Sequence, residues 1–266
     1  MITQLSVTSA GSKPFADPLA AIATLPMSLR ATPADADLVG LRGAAGWPGI
    51  ALEAIRSGAR GVLVVDPVAD ETSTLEQVAA DSGVPVVLDT TWAYNPAVRA
   101  AVDSFVRLSV PGALVEVRSN LPLRSSRSHA LLDQLSLVRA AVGAVESVQY
   151  VRFDTYGFDA IGTLENGSRV TFAAILTNSV ASSATVRIVR PTDAVELFLP
   201  APTTAAPGRA VVCGPNGETL LPTKYETGHR VAWRELHASA LAGALSGDLA
   251  GFSDDVRLVQ TASSGS

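Results

Sequence analysis

The chain has 266 residues, with 20 basic against 25 acidic side chains and positive mean hydropathy. That length suits one large domain or two smaller ones, and the apolar content argues against disorder except at the ends. The net charge of −5 without a basic run excludes nucleic acid as an expected partner. Cys213 stands alone and His129, His229 and His237 are dispersed, so neither a disulfide framework nor a structural metal is expected.

The opening "MITQLSVTSAGSKPF" lacks a basic n-region and a long apolar core, so it does not read as a signal peptide. No apolar run is long enough to span a membrane, and a cytoplasmic protein is the expectation. "ITQLSV" reads as a strand, "FADPLAAIATL" as a short helix and "MSLRA" as a further strand. "ADLVGL" is a strand, and "PGIALEAIRSG" an amphipathic helix closed by Gly58. "GVLVV" is a strand, followed by the helix "TSTLEQVAADSG", for which Thr72 or Ser73 is the candidate cap and Glu76 the capping-box acid. "VPVVLD" is a strand, and "NPAVRAAVDSFVRL" a helix with Pro96 in its first turn. Strands alternating with helices predict βαβ units and a parallel sheet.

The pattern changes near residue 113. "ALVEVRS" is a strand and "SHALLDQLSLVRAAVG" a helix. "VESVQYVRFDTY", "FDAIGTLENGSRVTFAAILT", "SATVRIVR" and "AVELFLP" then read as mainly antiparallel sheet, with Asn166-Gly167 at a hairpin turn. Two closing helices follow, "GHRVAWRELHASALAGALSG" and "SDDVRLVQTASS". The predicted architecture is α/β plus α+β. A shortened Rossmann-like domain spans 1–110, and an α+β domain with an open sheet spans 111–266.

Candidate chemistry lies at strand ends. In parallel α/β proteins, ligands sit outside the carboxyl ends of the strands. Asp66 ends one strand and Asp89 ends the next, so the two carboxylates face the same edge and are candidates to share a proton. Asp66 is a candidate general base or hydroxyl ligand; the alternative is a carboxylate that caps the next segment. The loop after Asp89 holds Thr91, Trp92, Tyr94 and Asn95, whose aromatic rings suit stacking on a sugar-like ring or serve as packing. His129 and Asp133 share a helix face and are a candidate acid/base pair. Arg124 and Arg127 precede that helix and are candidates for binding a carboxylate or phosphate.

Four segments, in order along nearly the whole chain, resemble the Gfo/Idh/MocA family of nicotinamide-dependent sugar and polyol dehydrogenases. They are "DLVGLRGAAGWPGIALEAIRSGARGVLVVDPVAD", "SGVPVVLDTTWAYNPAVRAAV", "LLDQLSLVRAAVGAVESV", and "GTLENGSRVTF" with the late "AWRELHASALAGALSG". The resemblance implies a crevice for cofactor and substrate and an oligomer formed through the C-terminal sheet. It also exposes departures. The family's G-x-G-x-x-G corresponds to "TSAGSKPFAD", where Gly11 remains, Ser9 fills another glycine position, and Lys13 or Pro14 the third. About 30 residues separate the first strand from "DLVGL", so at least one βα unit is missing, and Asp35 and Asp37 do not replace the ribose-binding acid. The family's catalytic lysine, the middle residue of Glu-Lys-Pro, falls on Asp66; the chain's only lysines are Lys13 and Lys224. The family's Asp and His on the first substrate-domain helix fall on Asp133 and Leu137, with His129 one turn on the other side.

Three functions are therefore weighed. The preferred one is a divergent homologue that uses no cofactor and acts on a sugar-like or other oxygenated small molecule by proton transfer, as an isomerase, lyase or cyclase does. Asp66, Asp89, Tyr94, His129 and Asp133 would carry the chemistry, and Trp92, Thr91, Asn95, Arg124 and Arg127 would hold substrate. The second is an NAD(P)-dependent oxidoreductase with a degenerate fingerprint, whose cofactor would meet Gly11, Ser12, Lys13 and Gly43. The third is a non-catalytic ligand-binding or partner subunit.

Overall fold

The computed structural model describes residues 4–10, 26–32, 35–204 and 206–264. They form two compact units, one of Met1–Thr90 and His229–Ser253, the other of Thr91–Gly228 and Asp254–Ser266.

The first unit is built on five parallel strands: β1 (Leu5–Ala10), β2 (Leu29–Ala31), β3 (Leu38–Arg42), β4 (Gly61–Val65) and β5 (Val86–Asp89), in the order β2-β1-β3-β4-β5. The strand order reverses between β1 and β3, which makes their carboxyl ends the topological switch point. Continuous apolar runs fit strands covered on both faces: Leu38, Leu41, Val62, Leu63 and Val64 have no exposed surface. Helix α1 (Trp47–Arg56) packs on β3, β4 and helix α2 (Ser73–Ser82). Thr72 stands at the N-cap position of α2, but its hydroxyl bonds the Glu76 carboxylate and the Ser253 hydroxyl instead of a helix amide, so the expected capping box does not form. The helix read in "FADPLAAIATL" lies outside the described residues.

Helix α5 (Gly228–Ala242) and the start of α6 (Asp248–Ser264), as far as Ser253, supply the rest of this unit. Leu236 of α5 is fully buried against Leu38 and Gly61, where a Cβ on Gly61 would lie 2.8 Å from the leucine methyl. At the start of α6, the Asp248 carboxylate accepts from the Leu88 N–H at 2.9 Å. Strand β5 is a sheet edge, and this contact occupies an edge donor that would otherwise be open to another strand.

The second unit carries helices α3 (Pro96–Leu108) and α4 (Arg127–Ala141) and eight strands. The strands are β6 (Leu114–Leu121), β7 (Val145–Asp154), β8 (Gly157–Leu164), β9 (Arg169–Leu176), β10 (Ser183–Val189), β11 (Ala194–Pro200), β12 (Arg209–Gly214) and β13 (Gly217–Leu220). Their order is β13-β12-β11-β10-β6-β9-β8-β7, antiparallel except for the parallel pair β6 and β9. The hairpin at Asn166-Gly167 forms as read, with Gly167 at φ 80°. Alternation sorts the two faces: Val115, Val117, Phe172, Ile188 and Leu197 are buried, whereas Ile161, Ile175, Arg187 and Phe198 face outward.

The domain boundary differs from the one expected at 110/111. The division falls after Thr90, because α3 packs on β11, β12 and α4 and so belongs with the second sheet. The expected C-terminal domain also loses residues 229–253, because Leu236 and Asp248 close the first unit.

Candidate functional site

In the first unit, Val65 and Asp89 are register partners, so β4 and β5 end level and Asp66 and Asp89 stand on one sheet edge. Asp66 has φ 53°, the left-handed region that a non-glycine residue seldom adopts. Its N–H donates to the Asp89 carbonyl at 3.0 Å, which fixes the turn. The turn brings Pro67 onto Gly43: a Cβ on Gly43 would lie 2.2 Å from the Pro67 Cα. Gly43 also donates to the Val65 carbonyl at 2.7 Å and accepts from the Val68 N–H at 2.8 Å. The space left by the missing side chain of Gly43 is filled by the chain itself. Three residues on, the Gly46 N–H donates to Asp70 Oδ2 at 2.7 Å, and the Trp47 indole donates to the Val68 carbonyl at 3.0 Å. The loops after β3 and β4 are thus clipped together.

Asp89 is buried, and its Oδ2 lies 2.7 Å from Nδ1 of His229 in the first turn of α5. One turn on, the Trp233 indole Nε1 donates to His229 Nε2 at 3.1 Å. An indole N–H can only donate, so Nε2 is an acceptor and the imidazole proton sits on Nδ1, aimed at Asp89. Burial pushes the Asp89 carboxyl above the ordinary carboxylate range; the His229 hydrogen bond opposes this, and the Asp66 and Asp248 charges add to it. Asp89 is therefore bonded to His229 through its side chain and to the Asp66 N–H through its carbonyl. His229 was not among the residues singled out from sequence. The available signal was the His229–Trp233 spacing of four at the start of a helix.

A cavity of about 550 Å³ lies beside β1, β3 and α1, lined by Thr8, Val39, Ile50, Asp35 and Glu53 among others. Its described lining residues include two carboxylates and no basic side chain, which disfavours a pyrophosphate. Asp37 is spent elsewhere: hydrogen bonds from the Ser6 hydroxyl and amide hold its carboxyl below the usual range, at 2.7 and 2.9 Å. Gly11, Ser12 and Lys13 lie outside the described residues.

In the second unit, Thr91 Oγ1 donates to Asp133 Oδ2 at 2.7 Å. His129 Nε2 lies 3.6 Å from the same oxygen, and Asp133 is 5% exposed. The structure thus brings Thr91, His129 and Asp133 together. Trp92 is 2% exposed, which fits the packing alternative for its ring. Asn95 Oδ1 accepts from the Ala97 N–H at 3.0 Å, so this side chain caps α3. Tyr94 is half-buried. Arg127 donates to the Asp154 carbonyl and stacks 4.4 Å over the Phe153 ring, while Arg124 is exposed. The two arginines line a cavity of about 300 Å³ with Ser125, Ser126 and Thr155.

No protein-family model matches the chain, and no curated protein matches it. Solved structures do. A proposed NADPH-dependent oxidoreductase from Desulfitobacterium hafniense is similar over 99% of this chain and 97% of its own, at 11% identity and TM-score 0.76. The chain shares the fold of that protein. A dehydrogenase (MviM) from Clostridium difficile matches 98% of this chain and 99% of its own, at 10% identity and TM-score 0.70. An oxidoreductase from Agrobacterium radiobacter, solved with NAD+, L-tartaric acid and magnesium, matches 88% and 80%, at 12% identity and TM-score 0.63. The Gfo/Idh/MocA resemblance drawn from the four sequence segments thus holds as a likeness of fold. Among the described residues, no helix is long and apolar enough to cross a membrane.

Proposed function

We propose that this protein binds or transforms a sugar-like or other oxygenated small molecule by acid/base chemistry on a dehydrogenase scaffold, without NAD(P)-dependent hydride transfer. One observation carries the reading. At the place of the resembled family's catalytic lysine stands Asp66, beside the buried Asp89 and its His229 partner. An ammonium stabilises a substrate alkoxide and passes on its proton; a carboxylate has the opposite charge and acts as a base or hydroxyl acceptor. Asp89 serves as the acid/base group and Asp66 as the hydroxyl ligand. Thr91, Tyr94, His129 and Asp133 are the further polar candidates. Gly43, closed off by Pro67, and the acidic cavity beside β1 support the absence of a dinucleotide.

Titration of the pure protein with NADH and NADPH, followed by fluorescence and calorimetry, tests this. No saturable binding below about millimolar is expected, an affinity of roughly −4 kcal/mol. Micromolar binding overturns the proposal and favours the second reading, an NAD(P)-dependent oxidoreductase. That alternative is supported by neighbours described as NADPH-dependent or solved with NAD+. If neither nucleotide binds and Asp66→Asn and Asp89→Asn leave the cellular phenotype unchanged, a non-catalytic binding role remains. In all readings we place the protein in the cytoplasm and pair the open outward face of the eight-stranded sheet, which carries Ile161, Ile175 and Phe198, with a second copy.

A further inference from the structure

Asp89 is bonded to an imidazole whose other nitrogen is already taken. His229 is one-third exposed, yet its Nε2 accepts from the Trp233 indole at 3.1 Å and its Nδ1 faces Asp89 at 2.7 Å. Trp233 is 4% exposed and meets the imidazole edge-on, with the ring planes at 84°. Spacing of four on α5 keeps the two rings stacked along one helix face. The lone pair that a general base needs is therefore engaged within the chain. This arrangement fits His229 poorly as the base itself, and well as a holder of Asp89.

We propose that Trp233 and Asp89 together fix His229 as its Nδ1–H tautomer, and that His229 in this form is the positioning residue that keeps buried Asp89 a carboxylate able to take a substrate proton. The proton leaves the substrate for an Asp89 oxygen, the negative charge passes to the substrate, and His229 keeps its own proton throughout. The second half of the proposal rests on the acid/base reading of Asp89 given above; the tautomer does not. The titratable groups that face Asp89 are His229 from α5, Asp66 from the end of β4 and Asp248 from the start of α6. Two of the three are acidic. His229 is thus the group on this edge that favours the ionised form, and both neighbouring carboxylates oppose it.

The test uses the full chain labelled with ¹⁵N-histidine and ¹³C-aspartate. Long-range ¹H–¹⁵N correlation at neutral pH, with His229 assigned by loss of its signals in His229→Asn, is expected to show the Nδ1–H tautomer. In Trp233→Phe the same signals are expected to shift towards a mixture of tautomers. An Nε2–H tautomer or an imidazolium in the wild type, or an unchanged pattern in Trp233→Phe, overturns the tautomer assignment. The Asp89 carboxyl titration then tests the positioning role. Its midpoint is expected to rise by about one pH unit in His229→Phe, the usual scale for losing one such partner. His229→Asn, whose amide N–H occupies the place of Nδ1–H, is expected to restore most of the difference. An unmoved midpoint in His229→Phe overturns the role. If His229→Phe does not fold, His229→Asn and His229→Ala are compared by the same carboxyl signal, with the same two outcomes. Micromolar nucleotide binding in the earlier titration would remove the acid/base reading and leave the tautomer result standing, so the two failures are separable.

Discussion

His229 and Asp89 stand 140 residues apart in sequence, and their side chains meet at 2.7 Å. The contact ties the start of α5 to the carboxyl end of β5. Burial raises the Asp89 carboxyl pKa in the folded state. A raised carboxylate stabilises the fold below its unfolded value, and that contribution is lost as pH rises through the folded value. Asp89→Asn keeps an acceptor for Nδ1–H and removes the titration. Urea melts of this variant at pH 8 are expected to match or exceed wild-type stability. Between pH 4 and 8 the variant should also show a flatter stability profile. A loss above roughly 2 kcal/mol at pH 8 would mean that the ionised pair stabilises the fold outright.

Asp66 sits at φ 53° on an exposed edge, where glycine would be more comfortable. Asp66→Gly relieves the backbone and is expected to stabilise the protein by about 0.5–1 kcal/mol. Phenotype or ligand binding should be lost at the same time. Greater stability with lost function would mark Asp66 as retained for chemistry. Reduced stability would show that its side chain anchors the turn.

Gly43 makes the opposite prediction. Its added Cβ would lie 2.2 Å from the Pro67 Cα, a backbone atom that cannot swing aside. Gly43→Ala is expected to cost about 3 kcal/mol or more, or to abolish soluble expression. Wild-type stability in thermal melts of Gly43→Ala would show that the loops are not clipped as described.

Asn95 separates a cap from a ligand. Asn95→Ala is expected to cost about 1 kcal/mol, whereas Asn95→Asp or Asn95→Ser should retain most of it. Ligand affinity, once a ligand is in hand, should be unchanged in the Asp and Ser variants. A fall in affinity at full stability would return Asn95 to the binding site.

Most elements were legible because their signals are local. Pro96 at the start of α3, Asn166-Gly167 at the hairpin, and the apolar run before Asp66 each fix structure within a few residues. The edge shared by Asp66 and Asp89 was legible for the same reason, since parallel strands of similar length end together. What escaped depends on contacts distant in sequence. His229 becomes a partner of Asp89 only when α5 returns to the first sheet, and periodicity carries no address for that return. Trp92 read as platform or packing alike, because an aromatic in a loop looks available and its burial is decided by its surroundings. The boundary at 110/111 followed composition, whereas the chain divides where α3 finds its packing partners.

The discontinuous first unit has a consequence for synthesis. Chains emerge from the ribosome amino end first, and domains generally fold as they appear. Here residues 5–89 leave early with all five strands, but Leu236, His229 and Asp248 are made last. Until then Gly61 lacks its covering leucine, Asp89 its imidazole and the β5 edge its carboxylate. The growing chain must therefore carry an incomplete parallel sheet, with an open edge, through translation of the entire antiparallel one. A chaperone holding nascent chains would meet this protein at that edge, and a truncation before residue 229 would leave the edge open for good.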